Sequence, residues 1–303
     1  MIRASAPGKL ILLGEHAVVY GHRAVAAAVS LGTTVTLTAR EGPSGLGEDA
    51  PATLRADARL QAALATVLPP EGVAVSLEST LPMGCGMGSS AALAIALVRA
   101  LAARDGRAPS FEELHARAFA VERAFHGTPS GIDHAVSARG GVVVYRRATG
   151  SPPEGGPALE DLALPGPVHL VVVDTGSPGD TAAMVAGVRA RRDSDPAVDH
   201  ALDAIGALVE DTLPALRAGD LPALGRSLSH AHAWLQRVGV STPRLDVACA
   251  LLEGAGALGA KLAGAGGGGV CFGLAPHAGS VPALVSTLGA AGFRAFPVTL
   301  PAG

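Results

Sequence analysis

Residues 81–101, "LPMGCGMGSSAALAIALVRAL", set the first limit on what this chain can become. Three glycines and two serines run directly into an Ala/Leu-rich helix. Small residues let successive backbone N–H groups converge on an anion, and the helix that follows turns the positive end of its dipole to the same place. The spacing at 84–90, G-C-G-M-G-S-S, is neither the GxxxxGK[ST] nor the GxGxxG fingerprint. Ser89 and Ser90 add hydroxyls at the helix start, one suited to capping and the other to a phosphate or a magnesium ion. Read alone, the stretch also fits an ordinary loop whose serine caps a helix.

Around this loop, strand and helix patterns mix in both halves of the chain. "KLILLGEHAVVYG" and "AVAAAVSLGTTVTLTAR" read as β-rich, with Thr34 to Thr38 alternating as a half-exposed strand. "DARLQAALATVL" reads as a helix and "GVAVSLEST" as a strand. In "SFEELHARAFAVERAFHG", Ser110 and Glu113 have the spacing of a capping box. "GGVVVYRR" and "VHLVVVDTG" read as buried strands, followed by several helices, a second glycine run and a final short strand. The Pro/Gly-rich stretch 148–167 marks a domain boundary. The expectation is an α+β protein with domains at 1–165 and 166–303.

Composition excludes several functions. At 303 residues and 49% hydrophobic, the chain can bury a sizeable core, though with 3% aromatics that core rests mainly on Ala, Val and Leu. A net charge of −3 offers no broad basic surface to nucleic acid, so a small-molecule partner is expected. Cys85, Cys249 and Cys271 match no zinc or CxxC spacing, which suits reduced thiols in a cytosol. No apolar run reaches the roughly 20 residues of a membrane span, and the N-terminal run is too short for a signal peptide. A cytoplasmic protein is the expectation. Lys9 and Lys261 are the only lysines among 23 basic side chains. A compact ammonium kept where guanidinium otherwise prevails invites a chemical reason.

Three further stretches carry chemistry. In "PGKLILLGEHAVVYG", Lys9 and Glu15 lie six apart, and so on one face of a strand, with His16 on the other unless Gly14 bends the chain. A buried Lys–Glu pair beside a core histidine accounts for this equally well. In "ERAFHGTPSGIDHAVSARGG", Glu122 and Asp133 flank a loop, where one suits a metal and the other a base or charge stabiliser. A helix-surface acid and a capping Asp remain the alternative. "GAGGGG" at 264–269 permits close approach of a ligand or another backbone, or simply makes a tight turn. His230 and His232 diverge around a helix and read as packing or solvated residues. Cys85 has no histidine nearby in sequence to activate it.

Taken in order, these stretches resemble the GHMP kinases, which include galactokinases and homoserine, mevalonate and phosphomevalonate kinases. "GEHAVVYG", "HGTPSGIDHAVSARGG", "DTAAMVAGVR" and "RVGVSTPRLD" are most similar to the mevalonate-kinase branch. The resemblance implies a two-domain fold, with an N-terminal ribosomal protein S5 domain 2-like part, a C-terminal ferredoxin-like α/β part, and the active site in the cleft between them. It further implies that Gly84, Gly86, Gly88, Ser89 and Ser90 wrap the phosphates of ATP, supported by Gly264, Gly266 and Gly267. Ser90 and Glu122 would hold Mg2+. Asp133 would be the catalytic base beside the mevalonate C5 hydroxyl, paired with Lys9. Glu15, His16, Ser241 and Thr242 would lie on the substrate side. The resemblance also offers Arg146 as a weaker candidate for the substrate carboxylate, while "DTGSPGDT" carries no basic residue where several family members do. Another acceptor within the family, a decarboxylase of the superfamily and a non-catalytic ligand-binding relative are the alternatives. Assembly, a homodimer included, is left open.

Overall fold

The computed structural model describes residues 1–82, 86–126, 131–147 and 158–303. They form two compact units. The first comprises Met1–Lys9, Leu31–Leu81 and Gly88–Gly140; the second comprises Leu10–Ser30, Pro82–Met87 and Gly141–Gly303.

The first unit takes one end each of β1 (Ile2–Leu13) and β2 (Arg23–Pro43). It adds β3 (Gly45–Leu46), α1 (Ala52–Arg55), α2 (Ala58–Ala65) and β4 (Glu71–Ser79). Three helices complete it: α3 (Ser89–Arg104), α4 (Phe111–His126) and α5 (Ile132–Arg139). Antiparallel pairing of β2 with β4 runs from Thr33 opposite Ser79 to Ala39 opposite Val73. Val35 and Leu37 turn inward while Thr34, Thr36 and Thr38 are more exposed, as the alternation predicts.

Helix α3 is buried from Ala91 to Val98 because nearly every face is apolar, and its alanines allow neighbouring elements to approach closely. Leu97 and Leu101 pack with Val35, Leu64, Val75 and Val121. The anticipated serine cap of α3 does not form: Gly88 occupies the cap position with no side-chain cap. At α4, Ser110 Oγ accepts the Glu113 N–H at 3.2 Å, but the reciprocal half of the capping box is missing. The Glu113 carboxylate is drawn off by Arg107 and Arg117, since two guanidinium partners outcompete one backbone donor.

In the second unit, β5 (Val142–Arg146) pairs with the first half of β2 and with β6 (Ala158–Asp161). The end of the Pro/Gly-rich stretch is therefore a strand, while residues 148–157 lie outside the described residues. Next come β7 (Val168–Asp174), α6 (Thr181–Ser194), α7 (Pro196–Ala218), α8 (Leu221–Val238) and α9 (Pro243–Gly254). The unit ends with β8 (Ala260–Leu262), β9 (Val270–Leu274), α10 (Val281–Ala290) and β10 (Arg294–Leu300).

These strands form an antiparallel sheet in the order β10-β7-β9-β8. Helix starts follow local chemistry: Asp180, Asp195, Asp220 and Thr242 each accept a backbone N–H at an N-terminus. Val171 and Val173 of the sheet pack with Leu202, Ile205, Leu235 and Leu252. Among the described residues, no helix is long and apolar enough to cross a membrane.

Candidate active site

In the first unit, Lys9 meets Asp133. Lys9 lies near the middle of β1 with its side chain almost fully buried, and its Nζ is 3.0 Å from Asp133 Oδ1. The Asp133 side chain, in the first turn of α5, keeps 31% of its surface. Helix α5 is fastened to β1 by Ser137 Oγ, which donates to the Pro7 carbonyl at 2.7 Å. Arg99 on α3 donates to the Ser5 carbonyl at 2.9 Å and to the Ala138 carbonyl at 2.8 Å. Three elements are thus tied on either side of the Lys9–Asp133 pair. Sequence reasoning missed Ser137 and Arg99, because their partners are backbone carbonyls that carry no sequence signature.

The head of α3 lies over the same pair. A Cβ at Gly88 would stand 3.0 Å from Lys9 Cγ, and the φ of 72° disfavours any side chain there. Glycine at 88 therefore lets the loop backbone rest on the lysine stem. Two residues along, Ser90 Oγ donates to Glu122 Oε1 at 2.7 Å, with Glu122 buried on α4. Behind them His134 Nδ1 lies 3.5 Å from Glu122 Oε2.

The second unit collects most of the other candidates. Strand β1 ends at Leu13 and the chain turns at Gly14, with φ 99°, so Lys9 and Glu15 do not form the pair that a continuous strand would permit. Glu15 instead pairs with Lys261, and both side chains are sealed from solvent. Lys261 also donates to the Leu262 carbonyl at 2.8 Å and stands 5.2 Å from the centre of the Phe272 ring. A partner 246 residues away could not be read from local spacing.

His16 follows, with φ 61°, the one non-glycine at positive φ among the described residues. Strain of this kind costs on the order of 1–3 kcal/mol and collects at functional sites. The conformation sets His16 Nε2 on the Ala265 carbonyl at 2.9 Å, inside the second glycine run. Burial holds the imidazole below its usual pKa, only partly offset by that hydrogen bond.

The 264–269 run turns between β8 and β9. A Cβ at Gly266 would fall 2.1 Å from the Val240 carbonyl, and Gly267 N–H donates to that same carbonyl at 2.8 Å. This lays the run beside Ser241 and Thr242. Thr242 caps α9 and Ser241 donates to Asp246, so both hydroxyls already have work inside the fold. Gly86 lies close by, its carbonyl 3.9 Å from where a Cβ of Gly264 would stand. Gly84 and Cys85 lie outside the described residues.

Arg146 is not gathered with this group. It is exposed at the end of β5, opposite Arg23, lining a surface pocket with Glu160 and Glu210. His232 is buried and bonded to Asp246, while His230 is exposed, so the two histidines diverge as helix geometry requires.

Comparison with known proteins gives this arrangement a lineage. The description "GHMP kinases N terminal domain" matches residues 53–141 and "GHMP kinases C terminal" matches residues 212–294. The chain belongs to the GHMP kinase family. Within it, the chain is 35% identical to the mevalonate kinase of Pyrococcus horikoshii, over 91% of this chain and 89% of that one. It is 37% identical to the mevalonate kinase of Archaeoglobus fulgidus, over 89% and 91% respectively. Among solved structures, L. major mevalonate kinase in complex with R-mevalonate superposes with a TM-score of 0.88 at 28% identity, covering 100% of this chain and 97% of that one.

Proposed function

We propose that this chain transfers the γ-phosphoryl group of ATP to the C5 hydroxyl of (R)-mevalonate, giving 5-phosphomevalonate. The observation that carries the reading is the Lys9–Asp133 pair at 3.0 Å, beneath Gly88 at the end of the glycine loop. A primary alcohol is far too weak an acid to ionise near neutrality. Its proton must leave as the O–P bond forms, and a loose transition state defers that need until late. Asp133, half-buried and aimed by α5, takes the proton at a carboxylate oxygen. Lys9, 3.0 Å from Asp133 Oδ1, stabilises the negative charge developing on the alcohol oxygen.

Backbone N–H groups at the head of α3 supply fixed donors for phosphate oxygens. His16 and Glu15 anchor the second glycine run, which supports the first near Gly86. Ser241 and Thr242, whose hydroxyls serve Asp246 and α9, keep that run in place. Arg146, exposed at the end of β5, lies with Arg23, Glu160 and Glu210 instead.

Ser90 and Glu122 would hold Mg2+, and the donor chemistry fits. Both offer hard oxygens 2.7 Å apart, and no cluster of three His, Cys, Asp or Glu occurs among the described residues. Two protein oxygens, with phosphates and water completing the shell, is the arrangement Mg2+ accepts. When bound, the ion neutralises phosphate charge as the transferred group moves. Kinetics across an acceptor panel of mevalonate, phosphomevalonate, homoserine and galactose, with ATP and Mg2+, tests the reading. ADP release should follow mevalonate alone; turnover on another acceptor, or none on mevalonate, contradicts it.

A further inference from the structure

His134 follows Asp133 on α5, yet faces a different partner. Its side chain is 0% exposed, and neither ring nitrogen has a hydrogen bond among the described residues. A buried imidazole without hydrogen bonds is costly, and a native fold that keeps one calls for an explanation. Oε2 of Glu122 lies 3.5 Å from Nδ1, while the other oxygen of that carboxylate accepts from Ser90. The ring is locked from behind. His115 lies 4.4 Å away between centroids, and Phe119 meets it edge-on at 5.5 Å. At 3.5 Å, Nδ1 and Oε2 stand a few tenths of an ångström beyond ordinary hydrogen-bond length, and the imidazole is packed against His115 and Phe119.

We propose that His134 is a positioning residue for the metal site: its Nδ1–H orients the Glu122 carboxylate so that Oε1, beside Ser90, is presented to the divalent cation. A ligating carboxylate held by a partner behind it is a recurrent device, and losing such a partner typically costs about 10–100-fold in metal affinity. One turn of α5 then sets both groups the reaction needs, Asp133 towards Lys9 and His134 towards Glu122.

The inference rests on the reading of Glu122 as a metal ligand, and the experiment separates the two. Mn2+ affinity is measured by electron paramagnetic resonance of the free ion in the presence of ADP, with a thermal melt of each variant. Glu122→Gln should weaken Mn2+ binding strongly; wild-type affinity there would overturn the ligand reading itself. His134→Asn, whose amide N–H sits near the Nδ1 position, should stay within about threefold of wild type. His134→Leu, and His134→Gln with its donor further out, should each lose about tenfold or more. Gln carries the test should the Leu variant not fold. Wild-type affinity in the Gln variant, or equal loss in the Asn and Gln variants, would overturn the positioning role while leaving Glu122 as a ligand.

Discussion

The only two lysines of this chain each face a carboxylate, and the two pairs differ in one respect. Lys9 and Asp133 belong to the first unit, where the lysine is 5% exposed and the aspartate 31%. Lys261 and Glu15 belong to the second, at 0% and 1%. A charge pair with one open face can exchange a proton with something that arrives. A pair closed on all sides can only hold its surroundings, here the turn after β1 and the strand leading into the second glycine run. Two lysine–carboxylate pairs are thus set apart by solvent access, one open to an arriving reactant and the other closed within the fold.

The comparison can be broken from either side. Lys9→Met should lower kcat by roughly a hundredfold or more with little change in Tm, because a fixed positive charge is lost where negative charge develops. Lys261→Met should do the opposite, leaving Glu15 buried without its cation. That costs about 3–5 kcal/mol and lowers Tm by on the order of ten degrees. Adding Glu15→Gln to Lys261→Met should recover part of the stability. Equal effects of the two lysine substitutions on kcat would erase the distinction.

Gly88→Ala should come next, forcing a strained φ and a Cβ onto the Lys9 stem. A displacement of this kind costs about tenfold or more in kcat, read by steady-state kinetics. Ser137→Ala should be milder, losing one hydrogen bond worth about 1 kcal/mol in denaturant melts and loosening α5 against β1.

The smallest effect concerns acid. Burial, reinforced by the neighbouring His134, lowers the His115 pKa from 6.5 to about 4. The unfolded chain therefore takes up the proton first, and stability falls as pH drops from 6.5 towards about 4. His16, lowered chiefly by its own burial, acts in the same direction in the second unit. Denaturation midpoints followed across this window should slope less steeply in His115→Gln than in wild type; an unchanged slope would place the acid sensitivity elsewhere.

What could be read in advance follows the range of the interactions. Strand alternation in Thr34 to Thr38, the Asp caps and the glycine runs act over a few residues, so the sequence displays them. The stretches that carry Lys9, Ser90, Glu122 and Asp133 were legible as those of a family, whereas the spacing of Lys9 and Glu15 alone pointed to a false pair. Arg99, Ser137 and the Glu15–Lys261 contact were not legible, since each joins distant segments and two of them end on backbone carbonyls. The missing capping box at α4 has the same cause: Arg107 and Arg117 competed for Glu113 with charges that the motif does not count.

The most direct measurement is the turnover of Asp133→Ala with ATP, Mg2+ and mevalonate, set beside its thermal melt. With the proton acceptor gone and Lys9 facing an empty partner position, kcat should fall by about 10²–10⁴-fold while Tm stays within a few degrees of wild type. Near-normal turnover in a folded Asp133→Ala protein would contradict the assignment of chemistry to the open pair.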